Sequence, residues 1–400
     1  MAAYYTFEDL SGANSNGTKT DNPYHDLIES CNDKSTKIQE RYSNHRVNRN
    51  AQQKEKLLAK DFPGVTIDEI LMKLETPDKY PGYEDPRHCL VFWARPTADV
   101  KKLIAEVQRR LREAVPNLWI MPQDSLHMTA LEITHSLTAP EIDALVDQLK
   151  PQAEAITDYT LKHHPRLVRP TVSFDAQALA LSWLPATGQE GDDYTYHHLR
   201  RDLFTITSKT GVTVASRYVI PSAHLTIGRF ITKEDTPDGD HGAIARLVQS
   251  IEEINACLQD CEYEWTVGEE KGLDLRKGTL WYGSGGETIR LGFSKVRYGP
   301  VLPDPDLSGM RFHTVAFVET YADGLGHIHH VTGDLVSRMR YERARASKPE
   351  LDNTRQYHSK KLLGMTLKSD DPAPSLKYEK DFFRHQVKKL SIPKQCAQNL

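Results

Sequence analysis

The 400-residue sequence has no apolar run of about 18 residues, roughly the shortest stretch that reads as a membrane-spanning helix. No membrane partner is therefore expected. Residues 1–17 are polar and lack the charged and then apolar pattern of a secretory signal. The expected location is the cytoplasm, and the nucleus stays open.

Basic residues are not in excess, because 51 Lys and Arg stand against 55 Asp and Glu, for a formal net charge of −4. Proteins that bind long nucleic acid through its phosphates normally carry a basic excess. The balance therefore argues against a long duplex as partner. Any nucleic-acid substrate is expected to be small, or to be presented as an end.

Cysteine is scarce, and the five cysteines are scattered rather than grouped at the spacing of zinc ligands. They are Cys31, Cys89, Cys257, Cys261 and Cys396. This pattern predicts free thiols in a reducing compartment. Neither a metal nor another cofactor is expected.

The remaining patterns divide the chain into three regions. Residues 1–85 are polar and helical in pattern, which predicts an N-terminal extension ending at the turn-rich stretch Asp78–Asp85. Residues 86–300 alternate helix and strand patterns and predict the main domain. The Pro-rich joint Pro300–Pro305 precedes a C-terminal region, 301–400, whose role the sequence does not indicate. Short strands are predicted in that region at Arg311–Tyr321 and Gly326–Val336.

Within residues 86–300 one order of elements occurs twice. The first series is strand 89–94, helix 98–115, strands 118–121 and 127–133, and helix 139–156. The second is strand 171–184, helix 194–209, strands 216–220 and 224–231, and helix 244–258. A hairpin is expected at Leu280–Phe293. The repetition predicts an α+β fold built on a duplicated strand-helix-strand-helix unit.

Three His-x-Thr triplets occur where about one is expected by chance, so their number alone is weak evidence. Residues two apart in a strand point to the same face. His127 would therefore lie beside Thr129, and His224 beside Thr226, at the same place in each series. The third triplet, at 330–332, lies outside the repeat. The matched pair indicates a functional site.

The paired motifs resemble those of the two-histidine (2H) phosphoesterase superfamily, in the branch of 2′,5′-RNA-ligase-like proteins and cyclic nucleotide phosphodiesterases. The resemblance is carried by CLVFWARP at 89–96, SLHMTALEI at 125–133 and PSAHLTIGRF at 221–230. It covers residues 86–300 and implies a bilobal fold with both histidine strands lining a central cleft. Glu132 departs from the pattern, because family members more often carry an apolar residue there. Strand alternation predicts that Glu132 faces away from the site.

The resemblance implies metal-independent hydrolysis of a cyclic phosphodiester, on a 2′,3′-cyclic nucleotide or an RNA end. His127 and His224 would serve as general base and general acid, because imidazole titrates near pH 6.5. Thr129 and Thr226 would donate hydrogen bonds to the non-bridging phosphate oxygens. The sequence does not tell which histidine is the base.

Substrate recognition is assigned to aromatic side chains and one arginine. Trp93, Phe92, Tyr218 and Trp281 could stack on a base, and Trp93 and Tyr218 are the candidates for substrate binding. Arg229 is the candidate phosphate ligand. Regular strand alternation places Arg229 on the face opposite His224, so this role requires a β-bulge.

Other histidine clusters are interpreted as solvated rather than functional. His327, His329 and His330 lack nearby acidic or cysteine residues to complete a metal site. His197 and His198 are expected at the surface.

Two alternatives stay open. One is an RNA-end 2′,5′ ligase-like protein on the same fold. The other is a non-catalytic binding or scaffold protein, against which the intact pair of motifs argues. Fold does not decide between these functions.

Overall fold

Helices and antiparallel sheets make up the described part of the chain. The computed structural model describes residues 8–12, 21–259 and 262–293, and two short strands further on. The chain divides into two compact units; the described residues up to 293 belong to the first, and the two short strands belong to the second. The predicted boundary near residue 300 and the third His-x-Thr triplet lie outside the described residues.

The helices are α1 His25–Ser30, α2 Ser35–Leu58, α3 Glu69–Glu75, α4 Ala98–Ala114, α5 Ala139–Leu149, α6 Ala153–Thr157, α7 Tyr196–Ser208 and α8 His241–Gln259. Helix α4 agrees with the helix predicted over 98–115. The Thr97 side chain caps its first turn, and its buried residues recur at helical spacing. The helix predicted over 139–156 is interrupted at Pro151, where a 3₁₀ turn separates α5 from α6. Among the described residues, no helix combines the length and apolar character needed to cross a membrane.

The strands are β1 His88–Ala94, β2 Trp119–Ile120, β3 Met128–Leu137, β4 Arg166–Phe174, β5 Ala178–Pro185, β6 Ala223–Arg229, β7 Glu264–Thr266, β8 Asp274–Gly278, β9 Gly286–Arg290, β10 Tyr321–Ala322 and β11 His327–Ile328. One sheet has the order β3-β1-β8-β9, a second has the order β2-β6-β5-β4-β7, and β10 pairs with β11. All of these pairs are antiparallel. The predicted mixture of helices and strands is therefore confirmed.

Three predicted strand assignments were wrong in detail. The stretch 171–184 is split into β4 and β5, because the Asp175 carboxylate accepts two backbone N–H groups and closes a tight turn between them. Residues 216–220 form a loop in front of β6 rather than a strand. The hairpin predicted at Leu280–Phe293 is formed by β8 and β9, so its first strand lies before the predicted range. Its turn includes Gly283 and Gly285 at positive φ.

The chain follows the order β1, α4, β2, β3, α5 around the first histidine and β5, α7, β6, α8 around the second. In each series the first strand pairs antiparallel with the strand of the histidine motif. Hydrogen bonds connect the two series. Ala215 N donates to the Ile133 carbonyl at 2.7 Å, and the Tyr196 hydroxyl donates to the Thr129 carbonyl at 3.0 Å.

The N-terminal helices cover the second sheet and α7. Tyr24 and Tyr42 are buried in the same apolar core as the strands. His197 donates from Nε2 to the Tyr24 carbonyl and accepts from the Tyr42 hydroxyl, both at 3.0 Å. His197 and His198 are consequently buried, and the prediction that they lie at the surface was wrong.

Candidate active site

One pocket is lined by side chains from both histidine motifs. His127, directly before β3, and Thr129 of β3 line it together with His224 and Thr226 of β6. The other predicted site residues, Trp93, Tyr218 and Arg229, also line it. The polar residues that the sequence did not assign to the site are Glu132, Arg200, Arg217 and Ser222.

Each histidine contacts the serine two residues before it through Nδ1, but His127 contacts a backbone carbonyl and His224 a hydroxyl. Nδ1 of His127 lies 2.7 Å from the Ser125 carbonyl oxygen. A carbonyl can only accept, so this nitrogen carries the hydrogen and the lone pair of neutral His127 is on Nε2. Nδ1 of His224 lies 2.9 Å from Ser222 Oγ, a hydroxyl that can donate or accept. The repeated sequence pattern Ser-x-His-x-Thr could have identified both serines as site residues.

Aromatic rings support the imidazoles. The Trp93 ring stacks on His127, with ring centroids 3.8 Å apart and planes 18° apart. Trp93 is only 1% exposed, and the Arg95 and Arg276 guanidiniums also lie on its ring. Trp93 thus acts on the site through His127, and its stacking on a substrate base stays a prediction. Tyr218 lies 5.7 Å from the His224 ring and is half-buried at the pocket.

A β-bulge turns Glu132 into the pocket, so the prediction that it faces away was wrong. Trp93 pairs with Thr129, whereas the preceding residue, Phe92, pairs with Leu131, which leaves Ala130 as an extra residue on β3. Val91 then pairs with Glu132. Trp93 and Val91 share one face of β1, so their partners Thr129 and Glu132 share it as well.

The second motif contains the bulge that Arg229 requires. Ala180 pairs with Thr226, Leu179 pairs with Gly228, and Ala178 pairs with Arg229. Ile227 is the extra residue, and Arg229 comes to lie on the face of Thr226. The extra residue follows the threonine directly in both motifs.

Two of the three arginines that line the pocket are neutralised by carboxylates. Arg217 contacts Glu132 through Nε at 3.0 Å and Nη2 at 2.5 Å, a bidentate pair that is largely buried. Arg229 donates to Asp68 at 3.0 Å. The same carboxylate accepts from the Tyr282 hydroxyl at 2.6 Å, which ties the N-terminal segment to the β8–β9 turn.

Burial of the rings lowers the pKa of both histidines. The pKa of His127 is about 3, with further lowering by Arg95, Arg276 and Arg229. The pKa of His224 is about 4, and Arg200 is the nearby charge that lowers it most. Both imidazoles are therefore neutral near pH 7, the form in which histidine accepts a proton.

Metal ligation is not suggested by the described residues, which contain no group of three or more His, Cys, Asp or Glu side chains placed to hold an ion. The side chains of His327, His329 and His330 lie outside the described residues.

A match to a known protein family lies in the C-terminal region. Residues 302–399 match the model of a family described as a family of unknown function, DUF6540. No curated protein gives a match to the chain. The matched region contains none of the residues that line the pocket.

Proposed function

We propose that this protein hydrolyses a cyclic phosphodiester, on a 2′,3′-cyclic nucleotide or an RNA end, with His127 and His224 as a general acid and base pair. The observation that carries the proposal is the convergence of two Ser-x-His-x-Thr segments on one pocket. Because two imidazoles can both activate water and protonate a leaving oxygen, the reaction requires no metal ion.

The duplication proposed from the sequence is supported by correspondences between the two motifs. Each follows a strand and a helix, pairs antiparallel with that first strand, and has its bulge directly after the threonine. A duplicated unit would place two imidazoles on opposite sides of one bound phosphate. This arrangement would suit in-line displacement, and it is the bilobal cleft that the 2H resemblance implies.

His127 is proposed as the base. The Ser125 carbonyl fixes its hydrogen on Nδ1, so the neutral ring has its lone pair on Nε2. His224 is then the acid. Its Nδ1 partner, the Ser222 hydroxyl, can donate to the neutral ring and accept from the protonated one. The negative charge of a bound phosphate favours protonated His224.

In the proposed step a water oxygen bonds to phosphorus while the bond to one ribose oxygen breaks. His127 Nε2 takes the proton of the water, and protonated His224 gives its Nε2 proton to the leaving oxygen. The product is a phosphomonoester. Hydroxyl hydrogen bonds from Thr129 and Thr226 stabilise the negative charge on the non-bridging oxygens.

The test is hydrolysis of the four nucleoside 2′,3′-cyclic monophosphates in EDTA, by wild type and by His127→Ala and His224→Ala. His241→Ala, an exposed histidine at the start of α8, is the matched control. Turnover that survives EDTA and disappears in the two site variants alone is expected. Turnover equal to that of wild type in either folded site variant would overturn the assignment.

A further inference from the structure

Arg200 of α7 is a buried cation in the wall of the pocket. It is 1% exposed, and it lines the pocket together with His224. Its Nη1 donates to the Ile220 carbonyl at 3.1 Å, and its Nη2 donates to the Tyr24 hydroxyl at 3.2 Å. Its Nε is buried and has no hydrogen-bond partner among the described residues.

The surroundings of Arg200 differ from those of the other two pocket arginines. Arg217 and Arg229 each contact a carboxylate. The groups close to Arg200 are phenols: its guanidinium lies 4.6 Å from the Tyr24 ring and 5.8 Å from the Tyr196 ring, and the Tyr42 side chain is a third neighbour. No carboxylate of the described residues forms an ion pair with it. A buried guanidinium without a counter-ion is costly, so the site favours an anion beside it.

We propose that Arg200 is the fixed positive charge that binds the phosphate of the substrate, in addition to the hydroxyls of Thr129 and Thr226. This inference rests on the proposed function. With Glu132 neutralising Arg217 and Asp68 neutralising Arg229, Arg200 supplies the one uncompensated charge among the ionised pocket side chains of the described residues. A cyclic phosphodiester carries one negative charge, which matches it.

Tyr24 is the proposed positioning residue for this arginine. Its hydroxyl accepts from Arg200 and donates to Ser216 Oγ at 3.0 Å. Ser216 in turn accepts from Tyr218 N at 3.2 Å, in the loop that carries Tyr218 to the pocket. The N-terminal segment is thereby part of the phosphate site, although it lies outside the histidine motifs.

The experiment measures binding of inorganic phosphate to the full chain by titration calorimetry, a readout that does not depend on turnover. Arg200→Gln is expected to weaken phosphate binding by about 10- to 100-fold, the usual range for loss of a charged hydrogen-bond donor. Arg200→Lys keeps the charge but loses the planar fork, so its affinity should fall between those of wild type and Arg200→Gln. Arg201→Gln is the matched control on the same helix, because Arg201 pairs with Asp202 and does not line the pocket.

Tyr24→Phe keeps the buried ring and removes only the hydroxyl. It is expected to weaken phosphate binding several-fold and to raise KM more than it lowers kcat. This variant and Arg200→Lys keep the test open if Arg200→Gln does not fold. Unchanged phosphate affinity in the folded Arg200 variants would overturn the inference.

The two proposals fail separately. If cyclic nucleotides are hydrolysed through both histidines but phosphate affinity does not depend on Arg200, only the role of Arg200 is wrong. If phosphate binding depends on Arg200 and no cyclic nucleotide is hydrolysed, the phosphate site stands and the proposed reaction is wrong.

Discussion

Glu132 and Arg229 occupy the same position in their motifs, three residues after Thr129 and Thr226, and a bulge turns each of them into the pocket. The two residues carry opposite charges. Glu132 neutralises Arg217, whereas Arg229 is itself neutralised by Asp68. The site therefore combines the same bulge position with different electrostatic surroundings for its two histidines.

Replacing either histidine by alanine should reduce kcat for cyclic nucleotide hydrolysis by about 10²- to 10⁴-fold, because each proton transfer loses its catalyst. Thermal unfolding of the same samples establishes whether the fold is kept. A folded His224→Ala protein with wild-type kcat would exclude His224 as the acid.

Replacing either threonine by valine should lower kcat by about 10- to 10³-fold, since a hydroxyl that stabilises the transition-state charge is removed without much change in volume. KM should change less than kcat, because this interaction is strongest in the transition state. A rise in KM at constant kcat would instead mean that the hydroxyl binds ground state and transition state equally.

The stability contributed by the two site histidines should fall as the pH drops below about 6.5 and level off near their lowered pKa values. The pKa values of His127, about 3, and His224, about 4, lie below their ordinary value of 6.5. Between these limits the unfolded chain binds protons that the folded chain does not, so acid favours unfolding. Urea unfolding at pH 7, 6 and 5 should therefore show a weaker pH dependence for the His127→Ala, His224→Ala double variant than for wild type. Parallel curves would mean that the two pKa values are not lowered by folding.

Glu132→Ala should destabilise the protein by about 3–5 kcal/mol, because it leaves the Arg217 cation largely buried and unpaired. Adding Arg217→Leu to the same chain should recover much of that loss, since the uncompensated charge is removed. A double-mutant cycle of urea unfolding free energies measures the coupling. Additive effects of the two substitutions would contradict a direct ion pair.

Much of the site follows from short-range sequence patterns. The alternation around His127 and His224 predicted an imidazole and a hydroxyl on one face of each strand, and the structure brings all four side chains to one pocket. Glu132 was placed on the wrong face, because regular alternation assumes a strand without bulges. Whether an extra residue is accommodated depends on pairing with β1, which the sequence of β3 alone does not reveal.

By itself the sequence determined most helices and strands around the two motifs, the Ser-x-His-x-Thr repetition and the absence of an apolar run of about 18 residues, because periodicity and local hydrogen bonding act over a few residues. Tertiary structure alone decided which arginines meet a carboxylate. Arg200 contacts Tyr24 across 176 positions of sequence and meets no described carboxylate, whereas Arg229 meets Asp68 across 161. Such distant contacts exist only after the N-terminal helices pack on α7 and the second sheet, so the charge of the pocket is a property of the folded chain.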